Sequence, residues 1–208
     1  VIQEDGSKLP LDIQRLHTIV NEACEGLESV SSEEILEETL KNLYDGVSSS
    51  EVNTSLVMTA RTMVEQDPNY SYVTARLLLD NIRTEALSFL GVSASATQTE
   101  MKELYPNAFN AYISKGIEFE LLSPDLKEFD LNLLGNALDS NRDMKFSYLG
   151  LQTLYDRYFI HKNDIRIELP QVFFMRVAMG LAIQEDDKNS RAIEFYNLLS
   201  SFDYMSST

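Results

Sequence analysis

The fold of the first part of the chain is decided by residues 1–27, VIQEDGSKLPLDIQRLHTIVNEACEGL. Two short extended runs flank Asp5-Gly6, and such a pair predicts a β-hairpin because glycine tolerates a positive φ. Asp12 is a suitable N-cap for the helix that follows, and Gly26 is a suitable end for it. The apolar side chains of that helix recur at helical spacing: Leu16, Ile19, Val20, Ala23 and Leu27. This stretch therefore predicts a hairpin that leads into an amphipathic helix.

Three further helices are predicted between residues 31 and 91. Ser31 and Glu34 form a capping box at the start of the second helix, which we expect to end at Gly46. The third begins near Ser48 and must end before Pro68, because a residue that precedes proline disfavours the helical conformation. The apolar face of the second helix is expected to be Leu36, Leu40 and Leu43, and the fourth helix is expected over about residues 72–90.

The second half of the chain also has mainly helical periodicity. Helices are expected near residues 99–115, 148–159, 169–182 and 190–199, with a turn at 123–125 and a small hairpin in 160–168. The small, polar stretch around residues 93–98 has no clear pattern and is the predicted linker. We therefore expect a mainly α-helical chain with two domains, residues 1–92 and residues 99–208.

Composition and charge exclude several classes of protein. The 208 residues carry 17 basic and 33 acidic side chains, a formal charge of −16, which disfavours binding to nucleic acid. Residues 1–95 alone hold 16 acidic and 6 basic groups. No apolar run reaches the roughly 20 residues of a membrane helix, and no signal peptide is evident, so we expect a cytoplasmic protein without a membrane partner.

The residues that most often carry chemistry have ordinary structural interpretations here. Cys24 is the only cysteine, which excludes an internal disulfide and a cysteine zinc cluster, and we expect it to be a buried thiol. His17 and His161 have no second ligand at metal-binding spacing, so no metal site is predicted. No GxGxxG, Walker or nucleophile-elbow motif occurs.

Three short segments at the expected spacing resemble the ATP-cone, a regulatory nucleotide-binding module at the N-terminus of many ribonucleotide reductase large subunits. They are Asp5-Gly6 in the hairpin, Ala23–Leu27 at the end of the first helix, and Tyr70–Leu77 at the start of the fourth. The resemblance implies an N-terminal β-hairpin plus a four-helix bundle.

The second half resembles the helical segment that precedes the catalytic barrel of class I ribonucleotide reductases. The matching segments are Asn141–Tyr148, Leu169–Leu181 and Phe195–Ser200. Residues 202–208 resemble the approach to the first barrel strand, so we expect the sequence to be cut before the barrel. With the cone, this resemblance covers nearly the whole chain.

The family implies reduction of ribonucleoside diphosphates by a thiyl radical, with one radical cysteine and two reducing cysteines in the barrel. Its partners would be the remainder of a homodimeric large subunit and a small subunit with a diiron or dimanganese radical cofactor. Since the only cysteine lies in the cone, this chain is expected to hold no catalytic residue and no cofactor and to be inactive alone. ATP or dATP would be the effector of the family.

The resemblance also implies which residues stand at the nucleotide site of the cone. Functional cones carry a basic pair before the Asp-Gly turn, where this chain has Gln3 and Glu4. Arg15 stands where the first helix of a cone usually has a lysine. Ser49 and Asn53 fall where cones place a hydroxyl and a histidine, and Asp80 and Thr84 fall where they place an apolar residue and a lysine. We therefore expect a degenerate cone that binds ATP and dATP poorly. Some large subunits of the family carry two tandem cones of which the inner one is degenerate, and this cone would correspond to the inner one.

Two alternatives to the reductase remain open at this stage. One is a nucleotide-sensing transcriptional regulator that joins a cone to a zinc ribbon, which needs four cysteine ligands and a basic DNA-binding face. The other is a helical interaction protein with no ligand and no enzyme parent. Both are disfavoured, the first by the single cysteine and the negative charge, the second by resemblance at both ends of the chain.

Overall fold

A computed structural model describes residues 1–2 and 6–204, which are mainly α-helical as predicted. The helices are α1 (Ile13–Cys24), α2 (Ser32–Lys41), α3 (Ser49–Thr62), α4 (Tyr70–Leu90), α5 (Met101–Glu118), α6 (Leu131–Asn136), α7 (Tyr148–Arg157), α8 (Pro170–Ala182) and α9 (Lys188–Ser200). Two short strands, β1 (His161–Lys162) and β2 (Ile165–Arg166), form an antiparallel pair. Three 3-10 helices span Met63–Glu65, Pro124–Glu128 and Ser140–Lys145.

The chain divides into two compact units. The first unit consists of residues 1–81 and 145–154, and the second of residues 82–144 together with the residues from 155 onward. Residues 91–100 contain no helix or strand. The division into domains 1–92 and 99–208, with a linker at residues 93–98, stays a prediction, because it concerns which parts of the chain fold independently.

The first unit begins with paired backbone at residue 2. Ile2 forms an antiparallel bridge with Lys8 and a parallel bridge with Ser48. Its N–H donates to the carbonyl of Val47 at 2.9 Å, and its carbonyl accepts from the N–H of Ser49 at 3.0 Å. The Ile2–Lys8 bridge confirms the predicted hairpin pairing, while the predicted turn at Asp5 lies outside the described residues.

Helices α1 to α3 begin where the sequence predicts. The Asp12 carboxylate accepts from the N–H of Arg15 at 2.9 Å, and the Ser31 hydroxyl accepts from the N–H of Glu34 at 3.2 Å. At α3, the Ser48 hydroxyl accepts from the N–H of Glu51 while the Glu51 carboxylate accepts from the N–H of Ser48, which is a complete capping box. These caps satisfy N–H groups that a helix cannot pair internally.

The buried face of α2 differs from the prediction. The helix ends at Lys41 instead of continuing toward Gly46, and Leu40 is 37% exposed. Its buried side chains are Ile35, Leu36 and Thr39. Leu36 is buried as predicted, but the predicted burial of Leu40 and Leu43 was wrong because the prediction followed the leucines, whereas the face toward α1 and α3 includes a threonine.

The second unit is built from α5, α6, α8, α9 and the β1–β2 hairpin. The hairpin confirms the prediction, and its two turn residues, Asn163 and Asp164, both have positive φ values of 52° and 64°. Helix α5 contains Pro106, beside which Gly135 of α6 packs. A Cβ at residue 135 would lie 3.2 Å from the Cα of Pro106, so the absence of a side chain permits this close approach.

Helices α8 and α9 contain much of the buried apolar surface of the second unit. Pro170 occupies the first turn of α8, where its missing N–H costs no helical hydrogen bond. The buried residues of these two helices include Val172, Met175, Ala178, Met179, Ala192 and Tyr196. Within the described residues, no helix is both long enough and apolar enough to cross a membrane.

Candidate functional site

The candidate nucleotide-site residues are distributed over three helices of the cone-like region. Gln3 and Glu4 lie outside the described residues. Arg15 is on α1, Ser49 and Asn53 are on the first turns of α3, and Asp80 and Thr84 are one turn apart on α4.

The structure brings two of these candidates, Arg15 and Asp80, into direct contact. A terminal guanidinium nitrogen of Arg15 donates to both carboxylate oxygens of Asp80, at 2.8 Å and 3.1 Å. The Asp80 side chain is only 6% exposed, whereas the Arg15 side chain is 32% exposed. The one cation that the sequence retains at the predicted site is therefore held by a carboxylate of the same chain.

The backbone of Arg15 is engaged as well. Its N–H donates to the carboxylate of Asp12, the N-cap of α1, so a second negative group besides Asp80 lies at the start of this helix. The start of a helix attracts anions because its first N–H groups are unpaired and its dipole is positive there. At α1 that position already holds a carboxylate, which repels a phosphate.

The start of α3 is similarly occupied. The N–H of Ser49 donates to the carbonyl of Ile2, and the N–H of Glu51 donates to the Ser48 hydroxyl. The hydroxyl of Ser49 also points to the Ile2 carbonyl, at 3.4 Å. Asn53, one turn further along, is half-buried. The Ser49 N–H and hydroxyl and the Glu51 N–H therefore have partners within the chain at the place where a cone would present such groups to a nucleotide.

Cys24 at the end of α1 is half-buried, not fully buried as predicted. Burial raises its pKa to about 11, and this effect outweighs the charge of Arg76, which acts to lower it. The Arg76 guanidinium donates to the carbonyls of Ala23 and Glu25 at 3.0 Å and 2.8 Å, which satisfies the end of α1. This agrees with a structural role for Cys24, because the thiolate is the reactive form.

The two histidines do not form part of a metal-ligand cluster in the described structure. His17 on α1 and His161 on β1 are both exposed. Among residues 1–2 and 6–204, no group of three or more His, Cys, Asp or Glu side chains is arranged to hold a metal ion.

A buried polar cluster around Asp143 connects several elements of the second unit. The fully buried Asp143 carboxylate accepts from the Tyr105 hydroxyl and the Gln171 amide, each at 2.7 Å, and lies 3.4 Å from Arg83. The Gln171 oxygen accepts from the Tyr196 hydroxyl at 2.8 Å. Burial raises the pKa of Asp143, although these partners act to lower it. The cluster ties α4, α5, α8 and α9 together and has a structural role.

A second buried cluster, which we call the Glu168 cluster, comprises Glu168, Tyr112, Ile160 and Arg176. The fully buried Glu168 carboxylate accepts from the Tyr112 hydroxyl at 2.6 Å and from the N–H of Ile160 at 2.9 Å. Arg176 donates to both oxygens, at 2.5 Å and 3.2 Å. Burial acts to lower the pKa of Arg176, but its hydrogen bonds and charge interaction with Glu168 outweigh burial and raise it.

Sequence reasoning identified Arg15 and Asp80 separately and missed their contact. The two residues are 65 positions apart, on helices whose packing no local pattern specifies. The available signal was chemical, since an aspartate that directly follows the apolar run Leu77-Leu78-Leu79 needs a partner if it is buried.

Two family descriptions match the sequence. Residues 1–85 match the ATP cone domain, and residues 144–208 match the ribonucleotide reductase all-alpha domain. Both matches agree with the resemblances inferred from the short segments above.

Similar proteins are named as subunits of ribonucleoside-diphosphate reductase. The alpha subunit of Chlamydia muridarum is 41% identical over 210 residues, which cover all of this chain and 20% of that protein. The alpha subunit of Helicobacter pylori strain 26695 is 35% identical over all of this chain and 25% of that protein. The large subunit of Danio rerio is 30% identical over 96% of this chain and 24% of that protein. The chain thus spans about a fifth to a quarter of the length of these relatives.

Proposed function

Because this chain belongs to the family of ribonucleotide reductase large subunits, with an ATP cone followed by the all-alpha domain, we propose that it serves as the N-terminal regulatory and structural region of a ribonucleoside-diphosphate reductase. Residues 1–92 would form the cone and residues 99–208 the helical domain. The observation that carries the proposal is the presence of both domains, in this order, in one chain whose relatives bear that name.

The chemistry of the whole enzyme would take place outside this chain. Reduction by a thiyl radical needs one cysteine for the radical and two to supply electrons, whereas this chain has Cys24 alone. Burial keeps that thiol protonated, so Cys24 is also unsuited to thiol exchange. The remainder of a homodimeric large subunit and a radical-bearing small subunit would be the partners, in the cytoplasm.

We further propose that the cone keeps its fold but binds ATP and dATP weakly. Gln3 and Glu4 replace a basic pair, and Arg15 is neutralised by Asp80. The starts of α1 and α3 are capped by groups of the chain itself. Each lost charge-assisted hydrogen bond to phosphate costs about 1.5–3 kcal/mol. Two such losses weaken binding by at least about two orders of magnitude.

Calorimetric titration of the chain with dATP and Mg²⁺ tests this proposal. We expect no saturable binding in the low micromolar range, and we expect Gln3→Lys combined with Glu4→Arg to strengthen binding. The matched control is Glu65→Arg combined with Gln66→Lys, which makes the same two exchanges at exposed positions. A low-micromolar dissociation constant for the unmodified chain would show that the cone is functional.

A further inference from the structure

The contact between Arg15 and Asp80 has the geometry of a guanidinium bound to an oxyanion. One nitrogen of Arg15 reaches two oxygens of a single anionic group, at 2.8 Å and 3.1 Å. Carboxylate and phosphate oxygens make the same kind of charge-assisted hydrogen bond with arginine, so they compete for one guanidinium.

We infer that Asp80 is an internal competitor for the effector phosphate, which keeps Arg15 occupied and the cone closed to nucleotides. This inference rests on the proposed function, because it takes Arg15 as the phosphate-binding cation of the cone. Two causes then weaken nucleotide binding. The loss of the basic pair before the Asp-Gly turn is permanent, whereas the contact between Arg15 and Asp80 is reversible.

The unequal burial of the two side chains supports the inference that Asp80 competes with a nucleotide for Arg15. Asp80 is only 6% exposed, so water has little access to its carboxylate and cannot readily replace Arg15. Arg15 is 32% exposed, so a ligand in solution can reach it. A nucleotide that takes Arg15 must therefore also break the two hydrogen bonds between Arg15 and Asp80, and this cost weakens its apparent affinity.

The side chain of Asp80 can be neutralised without a change of shape. Asp80→Asn keeps an oxygen that accepts from Arg15 but removes the negative charge. We expect dATP with Mg²⁺ to bind this variant at least about tenfold more tightly than the unmodified chain, which is the effect of regaining one charge-assisted hydrogen bond. The matched control is Asp45→Asn, which removes the same charge from an exposed position between α2 and α3.

Equilibrium binding of dATP to the three proteins, followed to millimolar nucleotide, gives distinguishable outcomes. Tighter binding by Asp80→Asn alone supports the inference, and a second substitution, Arg15→Gln, should then remove the gain. Equal affinities for Asp80→Asn and Asp45→Asn overturn the inference and leave the proposed function standing. Tight binding by the unmodified chain overturns the proposed weak cone itself.

A purely structural role for the ion pair gives a different result. In that case Asp80→Asn lowers the thermal midpoint without any change in dATP affinity. If Asp80→Asn does not fold, the double variant Arg15→Met with Asp80→Leu replaces the pair by apolar side chains, and no gain of binding is expected because the cation is gone. Tighter dATP binding by that folded double variant would contradict the assignment of Arg15 as the phosphate ligand.

Discussion

Arg176 is predicted to be essential for the stability of the second unit, because it neutralises the buried carboxylate of Glu168. In Arg176→Met, the Tyr112 hydroxyl and the Ile160 N–H still donate to Glu168, but the positive charge is lost. Removing one partner of a buried ion pair costs about 3–5 kcal/mol. Since Arg176 is 23% exposed and two donors remain, we expect the lower end, about 3 kcal/mol.

Thermal unfolding followed by circular dichroism measures this effect. For a chain of this length, 1 kcal/mol lowers the midpoint by about 2–4 °C, so Arg176→Met should lower it by about 6–12 °C. The matched control is Arg191→Met on α9, which removes an arginine paired with exposed glutamates and should cost at most about 1 kcal/mol. Amide hydrogen exchange at Ile160 should accelerate in Arg176→Met alone.

A double variant separates the charge from the packing. Adding Glu168→Gln to Arg176→Met removes the unpaired charge, so the double variant should be more stable than Arg176→Met by about 1 kcal/mol or more. If the free energies of unfolding of Arg176→Met and Arg191→Met differ by less than about 0.5 kcal/mol, then solvent or another group neutralises Glu168 and the reasoning about burial is wrong.

Two further predictions concern the first unit. With a pKa of about 11, Cys24 should react with a disulfide reagent at pH 8 on the order of a hundredfold more slowly than an ordinary thiol. Fast labelling at pH 8 in the folded chain would contradict the burial. The stability that comes from keeping this thiol protonated is fully present below the pKa of the unfolded thiol and is lost as the pH rises through about 11. Ser48→Ala should lower the free energy of unfolding by about 1 kcal/mol because it removes the capping box of α3, whereas Ser50→Ala, an exposed control in the same turn, should change it by less than about 0.5 kcal/mol in the same denaturant titration.

The local elements of the fold were predictable because their signals are short-range. Asp12, Ser31 and Ser48 were identified as helix starts, and the side chain of each accepts from the backbone N–H three residues further along. A small hairpin was predicted within residues 160–168, and its turn residues, Asn163 and Asp164, both adopt the positive φ that such a turn requires.

The tertiary features were not predictable in the same way. Thr39 is completely buried, and no hydropathy pattern selects a threonine over Leu40 for the core. The Arg15–Asp80 contact depends on how α1 packs against α4, across 65 residues of sequence. The family resemblance placed both residues at the site, but only the structure shows that one satisfies the other.

The paired backbone at Ile2 has a mechanical consequence. Its N–H and carbonyl are bonded to Val47 and to Ser49, which is the first residue of α3. Tension applied to the chain at Val1 therefore loads the hydrogen bonds of Val1 with Leu9 and, through Ile2, the hydrogen bonds at the start of that helix. Because two hydrogen bonds on either side of one residue must break together, the first unit should resist pulling from this end and yield in a single step when the link to α3 fails.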